Sequence, residues 1–362
     1  MREITVATVQ MKPTLGDSEN NLVRMSDFVS KIVSQQRVDL IVFPELITSG
    51  YELGVRFTEL AQRVPGPAIN LMAQRAADAG VYIAFGIVTK EKVESVLYNS
   101  AVMVGPEGEL VGHYNKVHLR GEERMAFREG YKMPVFDTGE IGKIGLMLGW
   151  DLAFPEVARA MTLDGAELLC VMANWEASYT DEWKTYVRAR AYENALFVAA
   201  ANRVGEDVTM KFGGESMIVG PRGRVYASLE NEVMALRPEP EQKSEPKPEP
   251  KPEPAAEAVP TAAVPATAGT VAPSTNAEAS APVDGKPAQG AATPAVPAAT
   301  PAQEAKSEPA RPVPPSPPIV IQPAEGYCVA RIDLDEVRRY REEFQTLQAR
   351  QPTVYRAVVR KY

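Results

Sequence analysis

The stretch KIGLMLGWDLAFPEVAR, residues 143–159, carries two patterns in succession. Residues 144–148 form an apolar run of strand length, and it breaks at Gly149, a residue that permits turns closed to others. The chain then passes Trp150 and Asp151 to Pro155, whose fixed φ suits the first turn of a helix. Helical spacing of apolar residues follows over 155–163. A strand that turns through glycine into a helix is a building unit of layered α/β folds.

The same alternation extends outward in both directions. Strand-like runs are expected at 4–10, 38–44, 81–88, 96–104, 167–172 and 197–201, and amphipathic helices at 20–36, 68–79 and 182–194. The turn signals at 106–108 and 221–223 predict hairpins, so the sheets are expected to be mixed. In such folds, ligands sit at the carboxyl ends of strands. Polar residues that close apolar runs are therefore the candidates for a site.

Composition divides the chain sharply. Residues 237–318 contain no aromatic residue, and about two-thirds of the 31 prolines lie between Pro238 and Pro323. A Pro/Ala/Glu/Lys-rich stretch of this kind cannot bury enough apolar surface to offset its ordering entropy and is expected to be disordered. Sequence with folding character resumes at Gly326 as a strand followed by a helix capped by Asp333 or Asp335. That piece is too short for a core of its own. The expected organisation is one domain over 1–236, an insertion over 237–318, and a return of 319–362 to complete the same domain. The insertion is read as a solvated spacer, with docking of a proline-recognising protein partner as the alternative.

Charge and cysteine content narrow the function. A net charge of −8 without a basic cluster argues against nucleic acid or an anionic membrane as the main partner. No apolar run reaches the roughly 20 residues of a membrane helix, and the N-terminus lacks signal-peptide character. The 2 cysteines, Cys170 and Cys328, each lie in an apolar strand-like run. A disulfide framework is not expected, and the cytoplasm is the default location. Two histidines, His113 and His118, give no metal-ligand spacing.

Three strand ends carry chemistry. The run DLIVFPEL closes on the carboxylate of Glu45, HYNKVHLRGEERMAF places Lys116 seven residues before Glu123, and the third is the Gly149 turn. Singly, each has a plain structural explanation: a capping glutamate, a solvated lysine, a charged helix face, a turn glycine. Together, FPE, NKVHL, ERMAF, GWDLAFPE, ANW, RARAYENALFV, ANRVG and IDLDEVRRYR occur in the order of the carbon–nitrogen hydrolase (nitrilase) superfamily, which the chain resembles over nearly all its ordered length.

The resemblance implies a four-layer α-β-β-α sandwich, a homodimer or larger assembly through the outer helices, and no cofactor. It implies an amide, carbamoyl or nitrile ligand, with a weak preference for the amidase and carbamoyl-hydrolase branches. In the family a cysteine attacks the ligand carbon and forms a thioester. Glu45 matches the general base, Lys116 the cation that stabilises developing negative charge, and Glu123 a second carboxylate that orients the lysine. Trp150, whose N–H would complete the oxyanion site, Trp175 and Tyr51 match the pocket lining.

The departure lies at the nucleophile. Where the family has cysteine before Tyr/Trp-Asp, this chain has Gly149, and the flanking residues fit the pattern. Glycine cannot form the thioester. Three expectations follow: an impaired or inactive relative that keeps a charged amide pocket, an amidase in which Glu45 activates water directly, or a hydrolase in which Gly149 is a variant position. A fourth, of another class, is an interaction protein acting through residues 237–318.

Overall fold

The computed structural model describes residues 2–91, 96–229 and 324–355. Expectations for 237–318, and the domain boundaries drawn at its ends, lie outside the described residues.

Two mixed sheets of six strands form the centre. The first contains β1 (Glu3–Gln10), β2 (Leu40–Val42), β3 (Tyr82–Lys90), β4 (Leu97–Val104) and β5 (Leu110–Asn115). The second contains β6 (Val135–Asp137), β7 (Lys143–Leu148), β8 (Leu168–Ala173), β9 (Phe197–Asn202), β12 (Met217–Val219) and β13 (Val225–Ser228), while β10 (Val204–Glu206) and β11 (Lys211–Gly213) form a separate ribbon. The sixth strand of the first sheet, β14 (Gly326–Asp333), comes from the far end of the chain and pairs antiparallel with β1, Glu3 opposite Asp333 and Gln10 opposite Gly326.

The sheets face each other across one apolar core. Val6, Val42, Ala84 and Met103 of the first sheet share it with Leu146, Cys170 and Ala199 of the second. Helices α1 (Ser18–Gln35) and α3 (Pro67–Ala79) cover the outer face of the first sheet, burying Val29, Ile32, Met72 and Ala76 against Ile41, Ile83 and Phe85. Helices α5 (Pro155–Leu163) and α6 (Thr180–Asn194) cover the second sheet through Val157, Met161, Trp183 and Val187. The result is a four-layer α-β-β-α sandwich, the architecture implied by the family resemblance. Two one-turn helices, α2 (Phe57–Leu60) and α4 (Glu123–Ala126), flank the strand ends, and α7 (Asp335–Phe344) follows β14.

Both expected hairpins are present, joining β4 to β5 and β12 to β13. The cap residue of α7 is Leu334, not Asp333 or Asp335; Asp333, one position earlier, accepts the Asp335 N–H through Oδ1 at 3.0 Å. Strands β6, β10 and β11 went unread in the sequence, and β12 and β13 were marked only by the turn between them, since three or four residues cannot establish a period. Cys170 and Cys328 are strand residues, each buried with its thiol pKa raised by burial, that of Cys328 pushed up to about 11. Neither is exposed as a nucleophile. Among the described residues, no helix is long and apolar enough to cross a membrane.

Candidate active site

Three loops at strand ends meet over a cavity of about 280 Å³. After β2 the chain reaches Pro44, which has no N–H to offer a ladder, and leaves the sheet carrying Glu45. This segment lies hard against β3. A Cβ on Gly86 would fall 2.5 Å from Glu45 Cα and 2.6 Å from the Leu46 nitrogen, so only glycine lets the two backbones approach. Lys116 follows β5 directly, its N–H donating to the Asn99 carbonyl of β4 at 2.9 Å. Glu123 opens α4, where its Oε2 accepts the Arg120 N–H at 2.9 Å.

The three side chains converge in a dry cluster. Lys116 Nζ donates to Glu45 Oε1 at 2.8 Å and to Glu123 Oε1 and Oε2 at 2.7 and 2.9 Å. All three residues are at most 4% exposed. Burial by itself would lower the lysine pKa, yet the charges of Glu123 and Glu45 outweigh it and hold Lys116 protonated. Glu45 shows the opposite balance: burial raises its pKa, and attraction to Lys116 offsets only part of that rise. A carboxyl so placed is a stronger base than a solvated one.

Gly149 closes β7 and lies beside this cluster. Its φ of +40° is left-handed, and an ideal Cβ there would sit 2.5 Å from Glu45 Oε2. The side chain of any residue at 149 would therefore emerge against the Glu45 carboxylate. Buried Asp151 fixes the turn, accepting from Tyr114 Oη at 2.6 Å and from the His118 N–H at 2.9 Å, with Leu148 N–H more distant at 3.4 Å. His118 also stacks on Phe154, ring centroids 3.6 Å apart.

The remaining expected residues line the cavity. Trp150 is partly buried and meets Phe154 edge-on at 5.1 Å. Trp175 is buried, donates from Nε1 to the Tyr179 carbonyl at 3.0 Å, and packs against Trp183 and Tyr186. Tyr51 lies edge-on to Phe212, its hydroxyl pKa raised by burial and by Glu123. Its loop is anchored by Asp207, which accepts the Tyr51 N–H at 2.8 Å and pairs with buried Arg203. Every residue expected at the site from sequence is thus found around one cavity.

Two residues were missed. Asn99 Nδ2 donates to Glu45 Oε1 at 2.8 Å and to Glu123 Oε1 at 3.2 Å, tying the carboxylates together from β4. Asn174, after β8, gives its backbone N–H to Glu45 Oε2 at 2.9 Å. Both lie in or beside apolar strands, where an asparagine has no periodic signature; a polar residue inside a buried run was the available signal. Among the described residues, no cluster of three or more His, Cys, Asp or Glu side chains is arranged to hold a metal.

A buried Glu–Lys–Glu cluster at strand ends of a four-layer sandwich defines a carbon–nitrogen hydrolase architecture. The family model described as carbon-nitrogen hydrolase matches residues 5–235, and the chain belongs to that family. It is 45% identical over 230 residues to a probable nitrilase of Schizosaccharomyces pombe, covering 63% of this chain and 84% of that one. It is 32% identical over 237 residues to a 2-oxoglutaramate amidase of Bacillus subtilis, covering 65% and 90%. Among solved structures, the Nit3 protein of Saccharomyces cerevisiae shares the fold at a TM-score of 0.59 and 24% identity, covering 63% and 86%. A glutamate-to-glutamine mutant of an amidase from Nesterenkonia matches at 0.58 and 27%, covering 62% and 86%; that structure carries the acetamide moiety of fluoroacetamide on its active-site cysteine.

Proposed function

We propose that this chain binds a small amide or carbamoyl compound over its Glu45–Lys116–Glu123 cluster and is impaired in cleaving it. The observation that carries this reading is the pairing of a complete, buried charged cluster with glycine at the position whose side chain would face Glu45. The Nesterenkonia relative, with the acetamide moiety added to its cysteine, supports a nucleophilic thiol in the family that Gly149 cannot supply. Within this reading, Lys116 attracts the ligand oxygen, Glu123 holds Lys116, and Trp150, Trp175 and Tyr51 set the size of the ligand. Loss of a covalent nucleophile removes several orders of magnitude of rate, while the remaining polar groups still bind.

The test pairs calorimetric titration with ammonia release for short amides and N-carbamoyl compounds. Saturable binding with little turnover is expected; hydrolysis at rates ordinary for an enzyme, on the order of 10 s⁻¹, would contradict the proposal. A second reading rests on the raised pKa of Glu45, which suits it to activate water without a covalent step. It requires turnover that survives thiol alkylation and disappears in Glu45→Gln. Exposed Leu163, Tyr192 and Phe344 on α5, α6 and α7 support assembly of copies through the outer helices, to be tested by light scattering.

A further inference from the structure

The charged groups of the cluster direct their hydrogen bonds at one another. Lys116 has three N–H groups and three carboxylate contacts, all within the cluster. Both Nδ2 hydrogens of Asn99 go to the same two carboxylates. The outer oxygens of Glu45 and Glu123 accept the backbone N–H groups of Asn174 and Arg120.

Asn99 leaves only its Oδ1 unpaired, whereas Asn174 leaves both ends of its carboxamide so. Its side-chain Oδ1 and Nδ2 are both buried and have no hydrogen-bond partner, and the residue lines the cavity. A native fold rarely leaves both ends of a carboxamide unsatisfied, because burying unpaired polar atoms is costly. The residue is held from both sides: its own N–H is on Glu45, and the next N–H, of Trp175, is on Asn202 Oδ1 at 2.7 Å. Its placement is fixed while its side chain lacks a partner.

We infer that Asn174, by turning its carboxamide into the cavity that the residue lines, is a specificity-determining residue that reads an uncharged primary carboxamide through a paired contact, Nδ2–H to the ligand carbonyl and ligand N–H to Oδ1. The inference rests on the proposed function and names the ligand group more closely. A carboxylate brings no N–H for Oδ1, and it would enter a lining with five glutamates against two cations, Lys116 and Arg120. An N,N-dialkylated amide offers the acceptor without the donor. Sites built around hydrogen-bonding groups discriminate strongly against analogues that leave those groups unpaired.

The experiment measures binding of propionamide, N,N-dimethylpropionamide and propionate to the full chain and to Asn174→Ala and Asn174→Leu, with folding followed by thermal melting. The natural chain is expected to prefer propionamide by at least about tenfold over either analogue, and the variants to fall within roughly threefold across all three. If both variants fail to fold, the smaller change Asn174→Ser takes their place, and a propionamide preference that it leaves unchanged overturns the inference. Binding of propionamide without that preference, or with a preference unchanged in a folded variant, overturns the inference and leaves the proposed function standing. Absence of binding by all three overturns both.

Discussion

Replacing Gly149 by cysteine is expected to lower stability and create turnover. The backbone there is left-handed, at φ +40°, and an L side chain in that region costs about 1–2 kcal/mol. The new Cβ would lie 2.5 Å from Glu45 Oε2, an oxygen held by the Asn174 N–H at 2.9 Å. That oxygen belongs to the end of a side chain and can retreat, weakening a bond worth about 1 kcal/mol. A total of about 2–3 kcal/mol corresponds to a melting point lower by roughly 4–12 °C for a domain of this size. A cysteine placed there lies beside a base, and a covalent nucleophile contributes about 10⁴–10⁶ in rate in enzymes that use one. Ammonia release from short primary amides, with and without iodoacetamide, measures the gain alongside calorimetric melting. A variant that melts in the expected range yet releases ammonia no faster than the natural chain would refute the reasoning. So would a natural chain already as fast as the variant.

Three further outcomes are expected. Lys116→Met leaves Glu45 and Glu123 buried without their shared cation and should cost about 3–5 kcal/mol in urea denaturation. Glu45 already has a raised pKa, so it takes up a proton on folding and its contribution worsens as pH rises; the deficit should be smaller at pH 5 than at pH 8, and the reverse order would count against this electrostatic account. Gly86→Ala forces a Cβ to 2.5 Å from the Glu45 Cα, a backbone clash with no rotamer to relieve it, and should cost about 1–3 kcal/mol and abolish amide binding by calorimetry. Iodoacetamide at pH 8 should label neither Cys170 nor Cys328 in the folded chain and both in urea, as read by intact mass; prompt labelling of the folded chain would show a reachable thiol.

Much of the fold was legible because its long elements have clear periods. The run at 144–148 was observed as Lys143–Leu148, and the helix expected at 155–163 as Pro155–Leu163. Glu45 and Gly149 end apolar runs and Lys116 follows a strand-like stretch, but the three were legible as a site only through the ordered motifs shared with the family. Asn99 and Gly86 were not, because their importance is set by approach across the sheet: Asn99 reaches Glu45 from 54 positions away, and Gly86 matters only because Glu45 crosses over it. Nothing local in either strand marks such an encounter. Asn174 was hidden for a related reason, since an unsatisfied side chain is a property of its surroundings.

The pairing of β14 with β1 bears on how the protein is made. Thr8 and Cys328 face each other across the first sheet, 320 positions apart in the chain. At about 5–20 residues per second, the ribosome would take roughly 15–60 s to supply the partner after β1 is synthesised. Throughout that interval the sequence EITVATVQ has one strand edge without its final neighbour, and an open apolar edge invites pairing with other chains. The newest copies on a polysome are therefore the ones most exposed to misassembly, and slower translation would lengthen that window in direct proportion.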